Sequence, residues 1–123
     1  MSAATWVAVG ALGGVGALAR FGVDLAVLRR AGQAFPFGIL VVNLTGAFAM
    51  GVLVGTGPST DVMRLAGTAT LGAYTTFSTW MLNTRRLDED GRRRRALVNL
   101  AVSLLLGLLA VWAGRALGRA IGS

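Results

Sequence analysis

Asn43 interrupts a run that is otherwise almost wholly apolar, with Thr45 two residues on. Its amide carries two N–H donors, which suit an anion or a bond between helices. Farther along, the stretch LGAYTTFSTW, residues 71–80, sets Thr75, Thr76, Ser78 and Thr79 beside Phe77 and Trp80. Hydroxyls donate as well as accept, and the edge of an aromatic ring is weakly positive. Such a mixture can face an anion that has given up part of its water. Asn99 and Ser103 are four apart, so on a helix they share a face. Arg20 and Asp24 have the same spacing and can pair. Each group also has a plainer use. Asparagine ties membrane helices together, hydroxyls bond back to the preceding turn, and aromatics settle at the lipid–water boundary.

Other chemistry is excluded by what the sequence lacks. There is no cysteine and no histidine, so thiol chemistry and the commonest general base and metal ligand are gone. The acids are Asp24, Asp61, Asp88, Glu89 and Asp90, three of them in one loop. An enzyme is not expected.

These residues must be positioned by membrane helices. Residues 1–19, 31–60, 65–84 and 96–114 carry no charged side chain, and roughly 20 apolar residues span a bilayer core as a helix. Mean hydropathy is +0.67 and 54% of residues are hydrophobic. The reading is an all-α membrane protein, one four-helix transmembrane domain over 1–123, with helices at about 5–28, 37–55, 62–87 and 96–117. The first window has no basic segment before it, so it reads as a retained helix rather than a cleaved signal. GRRRR, residues 91–95, would suggest nucleic acid in a soluble protein. Between two hydrophobic windows it reads as a membrane-proximal loop, with no nucleic-acid partner expected.

Helix 3 is the weak one. Gly72 and a run of β-branched threonines favour a break over a continuous helix. A break at membrane depth frees carbonyls that can hold a cation and N–H groups that can hold an anion. All twelve basic residues are arginine. Eight lie on the side of loops 1–2 and 3–4 (Arg29, Arg30, Arg85, Arg86, Arg92, Arg93, Arg94, Arg95), three on the other (Arg64, Arg115, Arg119), and the twelfth, Arg20, within helix 1. That bias predicts both loops in the cytoplasm.

FPFGILVVNLTGAF followed by GAYTTFSTW resembles the Fluc fluoride channel family, also called CrcB. GALAR, ending at Arg20, and NLAVSLLLGLLAVWAG in helix 4 add to the likeness, which covers roughly residues 10–114. The resemblance implies an antiparallel dimer with an inverted two-fold axis, in the cell membrane, exporting cytoplasmic fluoride passively to relieve its toxicity. It implies a structural sodium ion at the dimer interface, held by the backbone carbonyls of Gly72 and Thr75. It implies pores lined by Phe77, Trp80, Asn43 and Ser103, with donors from Thr76, Ser78 and Thr79 and with Arg20 near the vestibule.

The chain departs from that family at four places. Trp80 replaces a second phenylalanine, Ile39 a threonine, Asn83 a glutamate of many members, and Asn99 a tyrosine of some. An eight-to-three charge bias also suits poorly a chain that must insert both ways up. One half of a two-gene heterodimer is therefore expected as an alternative to a homodimer. Two rival readings stand beside the channel. A small multidrug transporter would need a helix-1 glutamate, absent here. A non-conducting scaffold subunit would tolerate lost pore residues.

Overall fold

The computed structural model describes residues 2–32, 35–75 and 77–122; the side chains of 77–79 lie outside that description. Among the described residues every regular element is helical. Helix α1 runs Ala3–Ala31, opened by Ser2, whose hydroxyl accepts from the Thr5 N–H at 3.1 Å. It closes at Gly32, whose φ of 74° is one that a side chain resists. Arg29 and Arg30 fill its last turn, where cations complement the helix dipole. Helix α2 runs Phe37–Gly55, directly after Pro36. Three further pieces follow: a single turn α3, Thr60–Val62; a π-helical run, Met63–Leu71; and a second single turn α4, Gly72–Tyr74. Helix α5 is Phe77–Glu89 and α6 is Arg93–Gly122.

Three of these helices, α1, α2 and α6, are long and apolar enough to cross a membrane. With 19 residues, α2 is about 28 Å long at 1.5 Å per residue, close to a bilayer core. The burial pattern is that of a membrane protein. Few large apolar side chains are buried, Ile39, Val42 and Leu87 among them, while Trp6, Phe21, Leu105 and Trp112 stand on the outside. In water such a surface would be an extended apolar patch; in hydrocarbon it is ordinary. This is an all-α, multi-pass membrane protein.

Burying few large side chains, the bundle gains its cohesion from close backbone packing. Gly51 and Gly55 on α2 face Gly114 and Gly118 on α6, each pair at the GxxxG spacing. A methyl group added at Gly51 would strike the Val111 carbonyl, one at Gly114 the Phe48 carbonyl, and one at Gly118 the Val52 carbonyl. Small residues at this spacing let membrane helices approach until backbones touch, so dispersion replaces the absent hydrophobic effect. Gly16 does the same for α1, sitting against the Thr70 carbonyl of the π-helical run.

The π-helical run, the break after it and the start of α5 form one interrupted course. The wider winding is visible in its bonds: the Gly72 N–H reaches the Gly67 carbonyl, and the Thr70 hydroxyl donates to Leu65 O at 2.7 Å. Such i to i+5 winding is rare and usually lasts a single turn. The helical path ends at Thr75, which is extended at φ −80°, ψ 158°. Three contacts secure that end. The Thr75 N–H and hydroxyl both donate to Leu71 O, each at 3.0 Å. Thr45 Oγ1 sends its proton to Val41 O at 2.7 Å, which leaves the Tyr74 hydroxyl to donate to Thr45 at 2.7 Å. Gly46 leaves room for the Thr75 methyl, which an added Cβ would strike.

Two outcomes follow from this packing. Gly118→Leu should lower the melting temperature of the detergent-purified protein sharply, since overpacking of this kind costs about 1–3 kcal/mol. Gly22→Ala, where an added methyl meets nothing within 4 Å, should leave it unchanged. Tyr74→Phe should cost about 1 kcal/mol, the net worth of one hydrogen bond. The loss should appear in hydrogen exchange as faster amide exchange over residues 71–75, with α6 unaffected.

Candidate functional site

The break opens beside a cleft of about 410 Å³ between α2, α6 and the start of α5. Its polar lining is Asn43, Thr75, Trp80 and Ser103; most of the remainder is apolar, with Met50, Leu71, Leu104 and Val111. Asn43 stands one turn before Ala47 on the face of α2 that also carries Gly46 and Met50, so helical periodicity brings them to one wall. Ser103, Gly107 and Val111 supply the α6 wall at the same spacing. Four residues singled out from the sequence thus meet in one place. No acidic side chain lines the cleft among the described residues.

The donors in this cleft are fewer than its hydroxyls suggest. Thr75 sends its proton back to Leu71 O. Ser103 Oγ donates to Asn99 Oδ1 at 3.3 Å. Asn99 is 1% exposed, and its Nδ2 donates to Thr84 Oγ1 at 2.8 Å. Thr84, also buried, donates to the Trp80 carbonyl at 2.9 Å. A polar chain therefore runs from the α5 backbone through Thr84 and Asn99 to the cleft wall at Ser103. Buried polar groups need such partners, because an orphaned one costs about 1–3 kcal/mol.

The other sequence candidates are placed differently. Thr76 lies outside the described residues, as do the side chains of Phe77, Ser78 and Thr79, whose backbone opens α5. Gly72 is exposed at the start of α4. Arg20 is partly exposed and is not part of the cleft lining. The pairing of Arg20 with Asp24 that their spacing allows does not form; among the described residues the ion pairs are Arg64–Asp61, Arg85–Glu89 and Arg93–Asp88. Asp24 instead packs against Gly38 at the start of α2, where a side chain would collide with its carboxylate. It lines a second cleft, about 370 Å³, with Asn83, Arg86, Asp90 and Arg92. That cleft joins the α1–α2 and α5–α6 connections at one end of the molecule. Ile39 is 4% exposed and belongs to the core rather than to the first cleft.

Thr84 was not legible as part of the site. A threonine four residues after Trp80 signals a bond back to the preceding turn, but nothing in the spacing shows that Asn99 meets it from another helix. Tyr74 was likewise visible as a polar residue in the break, without its partner Thr45.

Comparison with known proteins identifies the family. The model for CrcB-like proteins, described as camphor resistance (CrcB), matches residues 7–115. The chain is 52% identical over 118 residues to "Fluoride-specific ion channel FluC 2" of Mycolicibacterium paratuberculosis, covering 96% of this chain and 97% of that one. It is 49% identical over 115 residues to a protein of the same name from Mycobacterium tuberculosis H37Rv, covering 94% and 91%. It is 43% identical over 120 residues to "Fluoride-specific ion channel FluC 1" of Symbiobacterium thermophilum, covering 93% and 97%. With the family model spanning most of the chain and relatives matching end to end, this protein belongs to the CrcB family.

Proposed function

We propose that this chain is a subunit of a fluoride-selective channel in the cell membrane, one that lets cytoplasmic fluoride leave passively. The observation that carries the reading is the cleft beside the break, where Asn43, Thr75, Trp80 and Ser103 meet on a wall that is otherwise mostly apolar and, among the described residues, without carboxylates. Fluoride is small and tightly hydrated. A path for it must replace lost water with hydrogen-bond donors and must avoid fixed negative charge. The relatives named as fluoride-specific channels support the same assignment.

The interrupted course from Thr60 to Glu89 counts as the third of four crossings, joining α1, α2 and α6. Its length and its passage past the α2–α6 cleft support that count. The first cleft is not enclosed, as expected if a second subunit in the opposite orientation completes the path. Phe77, Thr76, Ser78 and Thr79 then add to the pathway of Asn43, Trp80 and Ser103, and Arg20 stands toward a vestibule. The eight-to-three arginine bias supports a cytoplasmic position for the end carrying the second cleft. The same bias favours pairing with a homologue of opposite bias over pairing with itself.

The donor chemistry also fits a sodium ion between subunits. Thr75 leaves the helical path, and the last carbonyls of a helical segment have no partner within it. Gly72 is exposed, so a second backbone can approach it closely. The carbonyls of Gly72 and Thr75 would hold half of the ion's shell, with the other subunit supplying the rest. The ion would neutralise those carbonyls and fix the break.

Fluoride-electrode measurement of efflux from proteoliposomes tests the reading. The chain reconstituted with a homologous chain of opposite arginine bias should release fluoride and retain chloride. Asn43→Ala should slow fluoride by about tenfold or more, the loss expected for one well-placed donor in a desolvated path. Release by this chain alone would remove the need for a different partner. No fluoride release in either pairing would overturn the channel assignment.

A further inference from the structure

The chain from Trp80 through Thr84 and Asn99 to Ser103 has a direction, and its direction decides what Ser103 presents to the cleft. At one end stands a backbone carbonyl, which can only accept. Thr84 gives its proton to the Trp80 carbonyl at 2.9 Å, so its oxygen is left to accept. It accepts from Asn99, and the group facing it must be Nδ2, at 2.8 Å. Asn99 then turns Oδ1 toward Ser103, and an amide oxygen can only accept. The Ser103 proton is committed to it at 3.3 Å. The reverse arrangement, with the amide turned over, gives up the bond to Trp80 and makes one hydrogen bond fewer. Asn99 is 1% exposed, so no water competes for either end of its amide.

Resting on the fluoride reading above, we propose that Thr84 and Asn99 are positioning residues that hold the Ser103 hydroxyl with its proton directed away from the ion path and its lone pairs toward it. In that state Ser103 repels a bare fluoride and can accept from a water that accompanies it. Serine in the pathway is thus a brake set by two residues that line no part of it.

The relay can be turned over without touching the cleft. In Thr84→Val the amide nitrogen of Asn99 loses its acceptor. A buried N–H without a partner is less tolerable than a carbonyl without one, so the amide reverses and donates to Ser103 Oγ. The serine proton is then released toward the cleft. In Asn99→Leu the proton is released directly, while Thr84 keeps its bond to the Trp80 carbonyl.

The experiment measures fluoride efflux from the conducting assembly, with these variants made in the Ser103 and the Ser103→Ala chain. Thr84→Val and Asn99→Leu should each speed efflux by about two- to tenfold, the range for one neutral hydrogen bond gained by the ion. Thr84→Ser, which keeps the hydroxyl, should restore the original rate. In the Ser103→Ala chain neither substitution should change the rate. Equal effects in both backgrounds, or a slowing confined to the Ser103 chain, would overturn the proposal. A second readout is independent of conduction: the side-chain amide resonances of Asn99 in the ¹⁵N-labelled chain, in detergent. They should move in Thr84→Val and return in Thr84→Ser. If no assembly conducts fluoride, the channel reading fails, and unchanged Asn99 resonances in Thr84→Val reject the relay separately.

Discussion

A lipid bilayer offers no water to an unpaired peptide group, and the whole arrangement of this chain answers to that constraint. A helix can be interrupted at membrane depth only where something else in the protein takes up the freed groups. Here the interruption at Thr75 is enclosed from several directions. Leu71 O takes both donors of Thr75, Tyr74 is tied to Thr45 on α2, and Gly46 gives the Thr75 methyl room. Upstream, the wider π winding lets the Gly72 N–H and the Thr70 hydroxyl reach carbonyls five residues back. The break is therefore a built feature of the fold, and the cleft beside it is the space that this building leaves.

The same constraint explains why glycine does so much of the packing. With lipid outside, burying leucine in the bundle gains little over leaving it exposed. Beside interhelical hydrogen bonds such as Tyr74–Thr45 and Asn99–Thr84, close approach of backbones is a main source of cohesion, and it requires residues without side chains. Gly51 and Gly55 against Gly114 and Gly118 lock α2 to α6, which are the two walls of the cleft. Gly16 seats α1 on the π-helical run. The walls are consequently closely packed, while most of the large apolar residues face outward.

Much of this was legible in the sequence. Three of the four charge-free windows fall on α1, α2 and α6, the helices long and apolar enough to cross a membrane, because a charged side chain in hydrocarbon is costly whatever the fold. The polarity and weak helix propensity of residues 71–80 point to a break for the same reason. Asn43, Trp80 and Ser103 stand out because polar or outsized groups in such segments need a purpose, and the CrcB-like motif around them agreed. What was not legible depends on contacts between helices. The spacing of Arg20 and Asp24 permits a pair, yet tertiary packing draws Asp24 to Gly38 instead. Asn99 and Ser103 could be placed on one face, but Thr84 meets Asn99 from another helix, fifteen residues away in sequence. The two GxxxG pairs lie in plain view; only the crossing of α2 and α6 shows that they face each other.

The contrast between a residue's type and its orientation carries the final step. A serine in a membrane pathway is read as a donor, and a donor is what an anion needs. A hydroxyl has one proton, however, and the structure of its neighbours decides where that proton points. Thr75 and Ser103 both stand in the cleft, and both have given their protons elsewhere. The difference between them is how the commitment can be revoked. Thr75 is bound to a backbone carbonyl of its own helical segment, which no side-chain substitution removes. Ser103 is bound through an amide whose orientation is set by one other hydroxyl. Under the relay proposed above, the lining is retuned from outside itself, through Thr84 and Asn99, which do not line the cleft. The discrimination of such a path lies in the direction of its hydrogen bonds as much as in the identity of its wall.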